Sequence, residues 1–252
     1  MKIQKNKKFS FLAIFVLILL LASLALNLYL STLSRNYYLQ LNGLRLDPLG
    51  LVYAPRNPPP TNTDRPLVVF FGDSRAYQWP APDADAFTFH NLGLGSQTTE
   101  QIALRYDLQI PTLQPDILLL QAGINDLKTI PLYPNLKERI IQRYKDNLAE
   151  IVTQATSAGT TVILTTIFPL GEIPLERRFV WSEEVALAMA EVNAFIYTLE
   201  GPNVIIFDTG RVLAGEDGIV QKSYSLDFLH LNPAGYQALN ARLTPLLGTL
   251  VP

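Results

Sequence analysis

The N-terminal part of the chain is a long run of apolar positions. Residues 9–34 carry no charged side chain, and the strongly apolar part of this run extends from Phe9 to Leu30. A helix of that length spans roughly 33 Å, which is enough to cross the hydrocarbon core of a bilayer. Lysines stand before it at positions 2, 5, 7 and 8, and such residues mark the cytoplasmic side. The pattern predicts a signal-anchor in residues 1–30, with a cytoplasmic N-terminus and the remaining chain outside the cytoplasm.

A cleaved signal peptide is the alternative interpretation of this segment. The residues Ser23-Leu24-Ala25 would allow cleavage after Ala25, leaving a secreted protein. The apolar run is longer than the roughly 7–15 residues of a usual signal core, which favours the uncleaved anchor. A buried core helix would have a polar face, and none interrupts the run.

Residues 31–64 end in the prolines at 58–60, so they are predicted to form an extended juxtamembrane linker.

From Pro66 onward, short apolar runs alternate with longer amphipathic stretches, and residues 65–252 are predicted to form one domain. The predicted strands are residues 67–71, 87–92, 117–120, 161–167 and 204–207. The predicted helices are residues 98–108, 136–158, 182–199 and 233–247. This alternation indicates an α/β fold, in which helices cover both faces of a five-stranded parallel sheet. The active site of such a fold lies beyond the carboxyl ends of the strands.

Three polar clusters follow predicted strands or precede the last helix. Gly72-Asp73-Ser74 would place a serine hydroxyl near a helix N-terminus, although Asp and Ser there are also common helix caps. Gly123-Ile124-Asn125-Asp126 would offer the Asn125 amide to an oxyanion, or would simply form a turn. The third cluster, Asp227-Phe228-Leu229-His230, places an acid and a histidine three residues apart. This spacing suits an acid that orients a general base, and it also occurs in an ordinary surface pair.

The other histidine and the glycine-rich loop are weaker candidates for chemistry. His90 lies in a predicted strand and has no nearby acid in sequence, so we expect it to be structural. Residues 91–99 contain Gly93-Leu94-Gly95, but the third glycine of a dinucleotide-binding fingerprint would fall at Thr98. The loop is instead suited to aim backbone N–H groups at an oxyanion.

Together and in this order, these blocks resemble the SGNH/GDSL hydrolase family, from about Leu67 to the C-terminus. The resemblance implies a flavodoxin-like three-layer α/β/α sandwich. It also implies that Ser74 is the nucleophile, His230 the base and Asp227 its orienter. The oxyanion hole would comprise the Ser74 N–H, a backbone N–H at Gly95 or Ser96, and the Asn125 side chain. Arg75 departs from the pattern, because the family more often has a small or apolar residue there.

Composition narrows the possible partners. After residue 8 the chain has 16 basic and 22 acidic residues, a balance of −6, which argues against nucleic acid. The absence of cysteine and the presence of two histidines exclude the usual zinc sites, and no metal or cofactor is implied. We expect a membrane-anchored extracytoplasmic esterase that acts on small-molecule or glycan acyl esters. An O-acyltransferase and a non-catalytic glycan-binding module remain alternatives.

Two segments bear on the substrate. Only 12 residues separate Ser74 from Phe87, so the first crossover helix must be short or missing, and the site shallow. The absence of a long apolar lid favours short acyl groups such as acetyl. Residues 168–181 follow the fourth predicted strand and are mixed in charge. They are predicted to form either a substrate wall or a polar surface loop.

Overall fold

The computed structural model describes residues 2–52 and 64–250, with backbone only for residues 2–9. The chain divides into two compact units, Met1–Tyr53 and Ala54–Pro252. The first unit contains one helix, α1, which covers Lys2–Leu46. Within the described ranges, the Ser10–Leu46 part of α1 is the one helix long and apolar enough to cross a membrane, and its apolar side chains are exposed.

Helix α1 is longer than the sequence predicted, and the predicted extended linker is wrong for residues 31–46. This stretch contains no proline and is rich in residues that favour helices, so it continues the apolar helix. The helix ends one residue before Asp47, where Pro48 disfavours helical backbone in the preceding residue. The Asp47 carboxylate accepts hydrogen bonds from the N–H groups of Leu51 and Val52. The prolines at 58–60 lie outside the described residues.

The second unit is built on a five-stranded parallel sheet, as predicted. Its strands are β1 Leu67–Gly72, β2 Thr88–Gly93, β3 Ile117–Gln121, β4 Thr161–Thr165 and β5 Val204–Phe207. They are arranged in the order β2-β1-β3-β4-β5, so β1 lies between β2 and β3. Gly72 is paired with Gly93 on one side and with Gln121 on the other. The three segments that follow these strands therefore begin at the same edge of the sheet.

Helices cover both faces of the sheet. They are α2 Ser74–Tyr77, α3 Thr99–Leu113, α4 Ile124–Leu127, α5 Lys137–Ser157, α6 Glu183–Thr198, α7 Gly210–Leu213 and α8 Pro233–Gly248. Short 3-10 turns occur at Ile130–Leu132, Pro134–Leu136 and Leu175–Arg177. One core joins alternate strand residues to α3, α5 and α6, and the other joins the remaining strand residues to Trp79, α7 and α8. Strands buried on both faces explain the continuous apolar runs in the sequence.

The N-termini of α6 and α8 differ in how they are capped. Asn232 caps α8, because its side chain accepts a hydrogen bond from the Gly235 N–H. Ser182 occupies the N-cap position of α6, but its hydroxyl makes no capping hydrogen bond. Helix α2 has four residues, which confirms the prediction of a very short first crossover helix.

Candidate active site

The turn between β1 and α2 holds Ser74 at the carboxyl edge of the sheet. Gly72 has φ +146°, and a Cβ there would lie 1.7 Å from the Gln121 carbonyl oxygen, so the position requires glycine. Asp73 is buried, and its Oδ1 accepts a hydrogen bond from the Arg75 N–H at 2.9 Å. This cap fixes the start of α2 and leaves Ser74, its first residue, half-buried.

Ser74, His230 and Asp227 form a continuous chain of hydrogen bonds. Ser74 Oγ lies 3.1 Å from His230 Nε2, and His230 Nδ1 lies 2.9 Å from Asp227 Oδ2. Asp227 Oδ1 also accepts the backbone N–H groups of Leu229, at 2.7 Å, and His230, at 2.8 Å. The structure therefore brings together the three side chains in the arrangement of a nucleophile, a base and an orienting acid.

Asp227 is suited to remain ionised in this arrangement. Partial burial raises its pKa, but hydrogen bonds from the His230 imidazole and from the N–H groups of Leu229 and His230 outweigh that effect. The pKa of Asp227 consequently lies below its ordinary value. A carboxylate at Nδ1 favours the imidazole tautomer that carries its proton there, which leaves Nε2 as the acceptor toward Ser74.

Of the predicted oxyanion donors, Gly95 has an observed approach to Ser74. A Cβ placed on Gly95 would be 3.9 Å from the Ser74 Cβ, so the exposed backbone at Gly95 faces the nucleophile. Ser96 follows in left-handed backbone, with φ 64°. Among the described residues, the N–H groups of Ser74, Gly95 and Ser96 have no hydrogen-bond acceptor. The N–H groups of Gly95 and Ser96 therefore both remain candidates for the oxyanion hole.

Asn125, the fourth predicted donor, is buried in the first turn of α4. Its Nδ2 donates to the Gln97 carbonyl oxygen at 2.9 Å, and its Oδ1 accepts from Lys128 Nζ at 2.6 Å. Nδ2 carries a second hydrogen that these contacts do not use. The amide is therefore held between the glycine-rich loop and Lys128.

A known family profile covers the segments that form this site. The profile of the GDSL-like lipase/acylhydrolase family matches residues 70–238, which include Ser74, Asn125, Asp227 and His230. The chain belongs to this family. The resemblance identified from the sequence is thereby confirmed, together with the predicted fold class.

Solved structures of other proteins share this fold. A GDSL-like lipase from Bacteroides thetaiotaomicron is 20% identical, with a TM-score of 0.56 over 73% of this chain and 89% of that one. An acetylxylan esterase from Geobacillus stearothermophilus is 17% identical, with a TM-score of 0.52 over 73% of this chain and 94% of that one. At these identities the likeness concerns the fold.

A curated relative matches a shorter part of the chain. It is the uncharacterized lipoprotein YqeF of Bacillus subtilis (strain 168), which is 28% identical over 123 residues. The match covers 42% of this chain and 49% of the relative, so the chain spans about half the length of that protein.

Arg105 of α3 links the end of β1 to the end of β2 and to the glycine-rich loop, and sequence reasoning missed it. Its guanidinium donates to the carbonyl oxygens of Gly72, at 3.0 Å, and Leu92, at 2.8 Å, and to Gln97 Oε1 at 2.5 Å. Burial lowers the pKa of Arg105 to about 10. The sequence does contain an indication of this buried role. Arg105 directly precedes Tyr106, on the side of helix α3 that otherwise faces the core.

Asp126 attaches α4 to the start of α3. Its carboxylate accepts the Thr99 N–H, at 3.0 and 3.1 Å, and the Thr99 hydroxyl at 2.6 Å. Burial raises the pKa of Asp126 to about 6, although the hydrogen bonds from Thr99 act in the opposite direction. The contact fixes the loop that precedes Thr99 against Asn125.

Residues 168–181 pack against the loop that carries Asp227 and His230, so they contribute to the wall next to the candidate triad. The Gly171 N–H donates to the Phe228 carbonyl oxygen at 2.9 Å. Trp181 contacts Phe228 edge to face at 5.2 Å, and the Arg177 guanidinium lies 6.0 Å from the same ring. A cavity of about 400 Å³ opens beside Asp227, lined by residues within 171–174, 219–222 and 225–228.

His90 is buried within β2, paired with Val69 rather than placed at the carboxyl edge of the sheet. Burial lowers the pKa of His90. Within the described ranges, no group of three His, Asp or Glu side chains is arranged to hold a metal ion.

Proposed function

We propose that this GDSL-family chain is a membrane-anchored serine esterase with Ser74 as nucleophile, His230 as general base and Asp227 as the orienting acid. The observation that carries the proposal is the hydrogen-bonded chain from Ser74 Oγ through His230 to Asp227, at 3.1 and 2.9 Å. Hydrogen-bond contact between nucleophile and base, with a third group orienting the base, is the arrangement that activates a serine hydroxyl.

In the first step, Ser74 Oγ attacks the ester carbonyl carbon while His230 Nε2 takes the hydroxyl proton. The negative charge that develops on the carbonyl oxygen is stabilised by the N–H groups of Ser74 and Gly95 and by the Asn125 amide. Each well-placed donor of this kind contributes about 3–4 kcal/mol to transition-state stabilisation. The carbon–oxygen bond to the alcohol then breaks, and His230 gives its proton to the leaving oxygen.

In the second step, a water molecule replaces the alcohol. His230 removes a proton from water as the water attacks the acyl-serine carbonyl. The bond to Ser74 Oγ then breaks, the proton returns to the serine, and the acid is released. A sugar hydroxyl in place of water would make the protein an O-acyltransferase through the same residues. Product analysis with and without an added acceptor sugar separates the two reactions. A non-catalytic glycan-binding module would not require all of these hydrogen bonds.

We infer that the substrates are short acyl esters of small molecules or glycans. Helix α2 has only four residues, so little chain is available near Ser74 to enclose a long acyl group. An acetylxylan esterase among the structural neighbours acts on an acetylated glycan, which is in keeping with this inference.

We further propose that α1 is an uncleaved anchor and that residues 65–252 form the hydrolase domain outside the cytoplasm. The length and apolar surface of α1 and the four lysines before the apolar run support this topology. A lipoprotein among the relatives is also in keeping with attachment to a membrane. The alternative is a secreted domain, released after cleavage of a signal peptide.

The activity is tested with p-nitrophenyl esters of graded acyl length and full-length protein in detergent. We expect the highest kcat/KM with acetyl or another short chain. His230→Asn should lose most turnover, whereas His90→Asn, a matched control, should retain it. Equal losses in the two variants would contradict the assignment of the base. A kcat/KM that rises steadily with acyl length would contradict the shallow site.

A further inference from the structure

Lys128 makes its hydrogen bond to an uncharged partner in the candidate oxyanion hole. The residue directly follows α4, and its Nζ donates to Asn125 Oδ1 at 2.6 Å. Its side chain is half-buried rather than extended into solvent. Among the described residues, no carboxylate lies within ion-pair distance of Lys128. The position of the lysine is therefore set by the amide of Asn125.

This contact determines which way round the Asn125 amide lies. The Nδ2 group donates to the Gln97 carbonyl oxygen, and Oδ1 faces the ammonium group of Lys128. A flipped amide would place an oxygen against the Gln97 oxygen and an NH₂ group against Lys128, and both contacts would be repulsive. Without Lys128, only the bond to Gln97 would distinguish the two orientations.

The charge of Lys128 also acts on the strength of the donor. A cationic partner on Oδ1 draws electron density from the amide, so the N–H groups of Nδ2 become better hydrogen-bond donors. Burial lowers the pKa of Lys128. The carboxylates of Asp73 and Asp126 favour its charged form, and the guanidinium groups of Arg177 and Arg75 oppose it.

We propose that Lys128 is a positioning residue that holds the Asn125 amide with an N–H directed at the oxyanion and strengthens that N–H as a donor. The inference rests on the proposed function, because an oxyanion forms only if Ser74 attacks an ester. Lys128 acts through Asn125 and does not itself contact the substrate. Its contribution should therefore appear in kcat and should disappear when Asn125 is removed.

The test is a double-mutant cycle in the full-length protein with p-nitrophenyl acetate. We expect Lys128→Met to lower kcat about tenfold with KM within about twofold, because the Asn125 N–H becomes a weaker and less firmly oriented donor to the oxyanion in the transition state. In an Asn125→Ala background, Lys128→Met should change kcat less than about twofold. Lys128→Arg, which keeps a cationic donor, should restore most of the activity. The matched control is Lys145→Met. Lys145 is a half-buried lysine of α5 that is paired with Glu191, and its replacement should leave kcat unchanged.

The outcomes of the cycle distinguish a failure of the inference about Lys128 from a failure of the proposed function. Equal losses from Lys128→Met in the wild-type and Asn125→Ala backgrounds would overturn the inference, because Lys128 would then act independently of the amide. If the Lys128→Met variant unfolds at a lower temperature than the wild type, the Lys128→Arg variant provides the test. A folded Lys128→Arg variant with a kcat as low as that of Lys128→Met would also overturn the inference. Absence of turnover in the wild-type protein would instead overturn the proposed function.

Discussion

Arg75 donates a hydrogen bond from Nε to the backbone carbonyl oxygen of Leu229 at 2.9 Å, and so joins the residue after Ser74 to the residue before His230. Its Nη1 donates to the Phe168 carbonyl oxygen at 3.1 Å, and its guanidinium lies 5.2 Å from the Phe168 ring. Arg75 is fully buried. One planar cation thus fixes the distance between the candidate nucleophile and its base.

Arg75→Lys tests this link. Lysine keeps the charge but cannot bridge two carbonyl groups and stack on a ring at the same time. We expect the variant to unfold at a lower temperature and to lose about tenfold or more in kcat on p-nitrophenyl acetate. Arg211→Lys, at an exposed position of α7, is the matched control. An Arg75→Lys variant with the kcat of the wild type would show that the link is not needed.

The glycine-rich loop provides a second, sterically defined test. A Cβ on Gly93 would lie 2.1 Å from the Tyr77 backbone nitrogen, whereas a Cβ on Gly95 has its nearest neighbour, the Ser74 Cβ, at 3.9 Å. Gly93→Ala should therefore lower the thermal midpoint strongly or prevent folding, and Gly95→Ala should fold normally. Thermal unfolding of the two purified variants compares them directly. Similar midpoints would contradict the close approach of β2 and α2.

Much of the fold and the candidate site was predictable because the signals are local. Apolar runs predicted the five strands, and the short spacing after Ser74 predicted a first crossover helix that is short or missing, which the structure shows as the short helix α2. The contacts that depend on tertiary structure were not predictable. Arg105 and Arg75 each donate to two backbone carbonyl groups of distant segments, and such acceptors leave no mark in the residue pattern. Helix α1 exceeded its prediction because helix formers continue past the apolar run.

The buried carboxyl of Asp73 should give the protein a characteristic pH dependence. Burial raises the pKa of Asp73 to about 6, although Arg75 acts in the opposite direction. An unfolded aspartate has a pKa of about 3.9, so the folded protein holds a proton that the unfolded chain has lost between these values. The stability that this proton provides is fully present below about pH 4 and is lost as the pH rises through 6.

Asp73→Asn removes this titration. Whatever the variant's absolute stability, its free energy of unfolding should fall less steeply than that of the wild type between pH 4 and 7. The difference between the two profiles should reach roughly 3 kcal/mol, since one pKa unit corresponds to about 1.4 kcal/mol. Thermal or urea unfolding at several pH values measures it. Parallel profiles would mean that Asp73 does not titrate in this range.

The topology of the anchor is tested on cells from which any outer barrier has been removed. An anchor with a cytoplasmic N-terminus predicts that added protease digests or releases the hydrolase domain, while a tag placed before Lys2 stays protected. Recovery of a soluble form that begins near Leu26 would support signal cleavage instead. Complete protection of the domain would contradict export. Cells lysed before protease treatment provide the control for protease access.

The role of Ser74 is tested most directly by treating full-length protein with a fluorophosphonate and locating the adduct by mass spectrometry. An activated serine reacts with such a probe, whereas other serines do not. We predict one adduct, on Ser74, which is absent from the folded Ser74→Ala variant and strongly reduced in His230→Asn. An unmodified Ser74 in folded wild-type protein, or an Ala variant that still turns over p-nitrophenyl acetate at the wild-type rate, would contradict the proposed function.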